Sequence, residues 1–188
     1  VSGTGKSTIG RELFKRNARL KLSVSHTTRD ARSGEVDGRH YHFVSRAEFE
    51  DMVGADGFAE WAEYVGNCYG TAKSTIETAG RAGHDLLFDI EIQGAAELKA
   101  QYPDAVTVFL LPPSWDEVSR RLTLRGTDDA ETISQRLERG RVEVEAARSF
   151  DYLVVNDDLD EAIEAVEDIY RAARNRASEN LDKLDALA

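Results

Sequence analysis

Val1-Ser-Gly-Thr-Gly-Lys-Ser-Thr8 is the stretch whose reading decides the fold. Gly3 and Gly5 let backbone N–H groups close around a phosphate, Lys6 supplies a point charge, and Ser7 offers a hydroxyl to Mg²⁺, with Ser2, Thr4 and Thr8 completing the loop. A helix is expected directly behind it, because unpaired N–H groups at a helix start stabilise a bound anion. Aligned on G-x-x-x-x-G-K-[ST], Gly5-Lys6-Ser7 places the first glycine one residue ahead of Val1. The apolar strand that should feed such a loop is expected there too, so the chain reads as beginning inside the motif. Taken alone, the eight residues also fit a Gly/Ser-rich linker before a helix.

The 188 residues suit one domain with one core. No apolar run approaches the roughly 20 residues of a membrane span, and no basic segment leads into an apolar one, so a soluble protein without membrane association is expected. A single cysteine, Cys68, excludes an internal disulfide and points to a reducing, cytoplasmic setting. The net charge of −11 argues against a nucleic-acid partner. That charge is unevenly spread: residues 1–46 hold ten Lys/Arg against four Asp/Glu, a balance of +6, which leaves −17 for the remainder. Positive charge therefore gathers where the phosphate motif lies, as suits small anionic substrates.

Going outward, periodicity predicts a helix over 9–17 and a strand over 20–25 that delivers Ser25-His26-Thr27-Thr28-Arg29 to an edge. A turn-rich loop at 33–38, a short strand at 41–44 and a helix opened by Ser45-Arg-Ala-Glu48 follow, its buried side using Phe49, Met52 and Val53. Strands over 58–65 and 68–71 form an antiparallel pair. Apolar runs at 86–90, 105–111 and 152–155 read as buried parallel strands. They alternate with helices over 73–83, 94–102, 114–125 and 129–150 and with a largely helical stretch from 159 to about 187, which implies crossover connections.

Arg29 and Arg32, three apart in a loop, bring two forked guanidinium groups towards one phosphate, with hydroxyl donors from Ser25, Tyr41 and Tyr69. Solvated loop charges are the plain alternative. Glu60, on an alternating strand, fits an outward position as well as a binding one, and Trp61 and Tyr69 taken singly read as core. The four histidines show no metal-ligand spacing, and Ser, His and Asp form no hydrolase set.

In their combined order, the loop at 3–7, Ser25-His-Thr-Thr-Arg-Asp-Ala-Arg32, Gly34-Glu-Val-Asp-Gly38, Glu60-Trp-Ala-Glu-Tyr64, Tyr69-Gly-Thr71, Asp89-Ile-Glu91, Pro112-Pro-Ser114, Arg125-Gly-Thr127 and Val155-Asn-Asp157 resemble the guanylate kinases over nearly the whole chain. The resemblance implies an α/β P-loop kinase fold: a three-layer sandwich with a parallel central sheet, a small antiparallel GMP-binding insertion and a helical lid. It implies a core of about 1–29, 73–118 and 150–188, a GMP-binding part of about 30–72 and a lid of about 119–149. The implied reaction is ATP + GMP = ADP + GDP, with Mg²⁺ accompanying ATP and Ser7 beside the metal.

In that scheme residues 2–8, Arg121, Arg125, Asn156 and Asp157 meet ATP. Ser25, Arg29, Arg32, Tyr41, Glu60, Tyr69, Thr71, Asp89 and Glu91 meet GMP. Lys6, Arg29, Arg121, Arg125 and Arg136 act on the transferring phosphoryl group. Glu60 would accept guanine N1–H and N2–H, and Thr71 would read O6. Arg139 and Arg141, by contrast, are expected to pair with neighbouring glutamates. Two rival classes are a non-catalytic phosphopeptide-binding module of the same fold and a sugar-phosphate kinase; retention of Gly3, Gly5, Lys6 and Ser7 disfavours the first, and Glu60 with Thr71 the second.

Losing a buried central strand would remove several side chains worth about 1.5–3 kcal/mol each, against a domain stability of about 5–15 kcal/mol. The 188 residues alone are therefore expected to fold poorly and to be nearly inactive. Roughly ten added upstream residues, an apolar strand ending in glycine, are expected to restore cooperative melting and GMP-dependent ADP release. A sharp melt and full activity without them would show the strand to be unnecessary.

Overall fold

Gly5 lies at φ +89°, in the left-handed region that favours glycine. Its carbonyl accepts the amides of Thr8 and Ile9, each at 3.0 Å, so the first helix begins immediately behind it. The computed structural model describes residues 4–64, 66–125, 129–181 and 186. In chain order its elements are α1 (Lys6–Arg16), β1 (Leu20–Leu22), β2 (His26–Thr27), β3 (His42–Phe43), α2 (Arg46–Gly54), β4 (Phe58–Tyr64), β5 (Asn67–Ala72), α3 (Lys73–Arg81) and β6 (Asp85–Leu87). After these come α4 (Ile92–Gln101), β7 (Val108–Leu111), α5 (Trp115–Arg125), α6 (Ala130–Ala146), β8 (Tyr152–Val155) and α7 (Leu159–Arg174). They group into two compact units, Phe14–Ala105 on the one hand and Val1–Leu13 with Val106–Ala188 on the other.

In the Phe14–Ala105 unit, β1 and β6 pair in parallel, Leu20 opposite Asp85 and Leu22 opposite Leu87. A second sheet has the order β3-β2-β5-β4. It is antiparallel at β2–β5 and β4–β5 but parallel at β2–β3, so the expected antiparallel insertion is a mixed sheet. The strand expected over 20–25 is shorter: β1 spans Leu20–Leu22, the Ser23 amide makes a last bond to the Leu87 carbonyl at 2.9 Å, and beyond it His26–Thr27 forms a separate strand with β3 and β5 as partners. Alternation reports that residues are extended; it does not report which neighbour they pair with.

The core of that sheet is Phe49, Phe58, Cys68 and Ala72, with Val44, Met52 and Val53 packed against it. Phe49 and Phe58 stack at 4.4 Å between ring centroids. Phe49 is delivered by the capping box at the start of α2, both halves of which form: the Glu48 amide donates to Ser45 Oγ at 3.2 Å and the Ser45 amide donates to Glu48 Oε2 at 2.7 Å. Both amides would otherwise be among the orphan donors of the helix start.

In the other unit β7 and β8 pair in parallel from Val108–Tyr152 to Leu111–Val155. Buried here are Phe109, Val118, Leu122, Ala147, Val154, Ala162 and Ile163, and Phe109 meets Phe150 edge-on at 5.2 Å. At the start of α5, Ser114-Trp-Asp-Glu117 forms half of a capping box. The Glu117 amide donates to Ser114 Oγ, but the Glu117 carboxylate is taken by Arg120 and Arg121. In the stretch expected to be largely helical from 159 to about 187, α7 ends at Arg174 and a 3-10 turn follows over Ala177–Asn180, where Asn180 Nδ2 donates to the Arg174 and Arg176 carbonyls; residues 182–185 and 187 lie outside the described residues. Among the described residues no helix is long and apolar enough to cross a membrane.

The two features of α2 should separate in a mutational test. Phe49→Ala is expected to lower the unfolding free energy by about 3–5 kcal/mol. Ser45→Ala, which removes only a cap, should cost about 1 kcal/mol. Denaturant titrations of both variants give the comparison, and equal losses would contradict the assignment of Phe49 to the core.

Candidate active site

Glu60 lies on β4 directly opposite Thr71 on β5, next to an irregularity in the ladder between Phe58 and Glu60. Its side chain is drawn inward, with the residue only 6% exposed and Thr71 fully buried. Thr71 Oγ1 donates to Glu60 Oε1 at 2.6 Å. Burial pushes the Glu60 carboxyl above its ordinary pKa, Thr71 opposes this, and the nearby Glu97 charge adds to it. The other oxygen faces α4, where a Cβ on Gly94 would come within 2.5 Å of Oε2. The glycine therefore makes room for the carboxylate, and Gln101 Nε2 ties α4 to β4 through the Ala59 carbonyl at 2.6 Å.

Of the two sequence readings, outward and inward, the structure takes the inward one. An alternating pattern cannot reveal this, because the face that is buried depends on a helix arriving from thirty residues later. Gly94 escaped the sequence reading; a glycine in the opening turn of a predicted helix was the available signal.

In the same unit a second group surrounds Arg29. Its Cζ lies 5.5 Å from the Tyr41 ring centroid and 5.8 Å from that of Phe43. The Tyr41 and Tyr69 rings meet edge-on at 6.0 Å. Burial raises the Tyr41 pKa, with Tyr69 and Asp89 adding to it, which places Asp89 within electrostatic reach of this group. Burial alone would lower the pKa of Arg29; its bond and charge interaction with Glu35, and Tyr69 after it, raise it instead. Ser25 is half-buried just before β2, and its carbonyl accepts the His42 amide at 2.9 Å. Arg32 and Asp89 are exposed, and Glu91 is the exposed residue preceding α4.

In the other unit Thr4 is buried, and its carbonyl accepts Asn156 Nδ2 at 2.7 Å. A Cβ on Gly5 would collide with that same amide. Asn156 is held at the end of β8 by its own amide, which donates to the Leu111 carbonyl at 2.8 Å. Its carbonyl accepts from Arg121 Nη2 at 3.2 Å, while Arg121 Nε binds Glu117 Oε1 at 2.7 Å. Arg120 first and Arg121 next pull the Glu117 carboxyl down to about 2. One N–H of the Asn156 side-chain amide, a residue expected to meet ATP, thus holds the phosphate loop.

Lys6 and Ser7 are exposed in the first turn of α1, Thr8 is half-buried there, and Asp157 is exposed. Arg136 is half-buried on α6. Arg139 pairs with Glu143 at 3.1 Å as expected, whereas Arg141 lies over Trp115 at 5.1 Å. Ser2, Gly3 and the Arg125 side chain lie outside the described residues.

Among the described residues no group of three or more His, Cys, Asp or Glu could hold a metal ion. The donor set of the loop, a hydroxyl beside a lysine at an exposed helix start, fits Mg²⁺ carried on phosphate oxygens and water.

Known proteins resemble this chain over nearly its whole length. The sequence profile of the family Guanylate kinase matches residues 1–173. A guanylate kinase of Novosphingobium aromaticivorans is 50% identical over 186 residues, covering 98% of this chain and 84% of that protein. One from Thermus thermophilus is 49% identical over 177 residues, covering 94% and 80%. The crystal structure of guanylate kinase from Anaplasma phagocytophilum superposes with a TM-score of 0.77 at 31% identity, covering 97% of this chain and 88% of that one. Its fold is therefore that of the P-loop kinases, and the chain belongs to the guanylate kinase family.

Proposed function

We propose that this chain transfers the γ-phosphoryl group of ATP to GMP, giving ADP and GDP. The observation that carries the reading is the buried Glu60–Thr71 pair, in the same unit as Arg29 and the Tyr41 and Tyr69 rings grouped with it. Guanine presents adjacent donors at N1 and N2, which the two oxygens of Glu60 accept together; adenine would set a lone pair against them. A hydroxyl has one hydrogen, so Thr71 cannot serve Glu60 and guanine O6 at once. On GMP binding the base N–H groups take over the carboxylate, and the Thr71 hydrogen turns to O6.

Arg29 and Arg32, with Ser25, Tyr41 and Tyr69, receive the phosphate of GMP, and Asp89 and Glu91 complete the nucleoside end. A phosphate monoester with a second pKa near 6 is mostly dianionic at neutral pH, so its oxygen attacks without a general base. What remains for the protein is positioning and charge stabilisation. The loop amides and Lys6 cradle the ATP phosphates; Arg121, Arg125 and Arg136, on a lid of about 119–149, meet the charge developed in transfer, and Asp157 lies towards the adenine. Ser7 would hold Mg²⁺, which supplies neutralisation of the phosphate oxygens when bound. The retained loop, with Thr4 and Gly5 built onto Asn156, supports an enzyme over a phosphopeptide-binding module. The single cysteine supports a reducing, cytoplasmic setting, and the net charge of −11 supports action on nucleotides over nucleic acid.

Lys6→Met should reduce kcat on the order of 10²-fold or more while leaving the melting temperature unchanged, since the exposed lysine fills no cavity. An unaltered kcat would remove the loop from the mechanism. Glu60→Gln should reduce kcat/KM for GMP on the order of 10²-fold, with KM for ATP unchanged.

Stability offers an independent check. A carboxyl whose folded pKa is raised loses folded-state stability as pH rises from its unfolded value through its folded one. The neutral amide avoids that loss, so Glu60→Gln should melt no lower than the parent at pH 7. The direct measurement is coupled ADP release with GMP, AMP and ribose 5-phosphate. Turnover of AMP or the sugar phosphate at the GMP rate would sink the specificity assignment.

A further inference from the structure

One acid in the loop between β2 and β3 is committed to both arginine positions of the phosphate cluster. Glu35 Oε1 and Oε2 each accept from Arg29 Nη2 at 2.9 Å, and Oε2 also accepts the Arg32 backbone amide at 2.7 Å. The local chain is built to bring the carboxylate back. Gly34 lies at φ +86°, and the Glu35 amide donates to the Arg32 carbonyl at 3.0 Å, closing a tight turn.

Arg29 Nη1 donates in turn to the Asp30 carbonyl at 2.6 Å, so the guanidinium is held along its edge, while the Tyr41 and Phe43 rings lie beside it. Both side chains are largely withdrawn from water, 14% exposed for Arg29 and 19% for Glu35. The Arg32 amide, and Arg29 after it, keep the Glu35 carboxyl below its ordinary pKa against the opposing effect of burial, so it stays charged at neutral pH.

We propose that Glu35 is a positioning residue for the acceptor phosphate: it holds Arg29 and the 30–35 turn in receiving geometry before the nucleotide arrives, and so sets affinity for the 5′-phosphate without touching it. This rests on the reading of Arg29 and Arg32 as the GMP phosphate site. A guanidinium already fixed in one plane loses less freedom when it binds a phosphate than one that must be ordered at that moment. An anion beside the site also repels an incoming dianion, so the two effects predict opposite signs when the charge is removed. Without Glu35 the withdrawn Arg29 cation would lack its counter-charge and leave its place against the rings, and for that reason positioning is the dominant effect.

The test uses Glu35→Gln, Arg29→Met and the double variant, each with KM for GMP and ATP, kcat, and the affinity for guanosine, which has the base but no phosphate. Glu35→Gln is expected to raise KM for GMP about tenfold, the scale of a lost bond to a charged group. KM for ATP and guanosine affinity should not move. In the Arg29→Met background the same substitution should have almost no further effect, because Glu35 acts through Arg29.

Tighter GMP binding by Glu35→Gln, an equal loss of guanosine binding, or a full effect retained without Arg29 would each overturn the proposal. An Arg29→Met variant with unchanged KM for GMP would overturn the phosphate-site reading itself and the proposal with it. That result is told apart from the others because it appears in the single variant that leaves Glu35 intact.

Discussion

A carboxylate withdrawn from water needs a donor, and the Phe14–Ala105 unit is arranged so that Glu60 has one. The partner, Thr71, stands directly across the ladder, so the β4–β5 register decides whether the acid is satisfied. A one-residue slip would turn Thr71 to the opposite face and leave a buried charge alone, at a cost of several kcal/mol. Gly66 at φ +75° in the connection and the Phe49–Phe58 stack beneath the sheet hold that register. On the other side α4 can approach only because residue 94 has no side chain. Hairpin, core and helix thus converge on placing one ionisable group where a single hydroxyl satisfies it.

The phosphate loop obeys the same constraint with neutral groups. The buried Thr4 carbonyl is satisfied by the Asn156 amide, Asn156 is held by β7, and Arg121 closes onto the Asn156 carbonyl from α5. Gly5 is required twice over, by its left-handed backbone and by its contact with Asn156. Residues more than 150 positions apart therefore shape one turn of backbone, and a change at Asn156 would be felt at the loop.

An acidic protein that handles anions must keep its cations from being scattered among its own acids. Here individual acids are used to hold individual arginines: Glu35 holds Arg29, Glu117 holds Arg121, and Glu143 holds Arg139. Each such pair fixes where a guanidinium points, so orientation is what the pairs share. The most withdrawn of them, Arg29–Glu35, is also the one that sits among tyrosines.

Local chemistry alone determined much of this. The glycines, lysine and hydroxyls of residues 3–8, the Ser45–Glu48 capping box, the two strands around Gly66 and the strand at 152–155 could be read directly, because caps, turns and short periodicities depend on neighbours a few residues away. The ordered series of motifs also identified the family. Only the tertiary structure decided that Glu60 faces inward, that His26–Thr27 pairs in a different sheet from Leu20–Leu22, that the side chain of Asn156 braces the loop, that Glu35 holds Arg29, and that Gly94 lies against Glu60. Each of these depends on which distant segment comes to lie alongside, and a hydrogen bond between residues far apart in sequence leaves no mark on the local pattern of either partner.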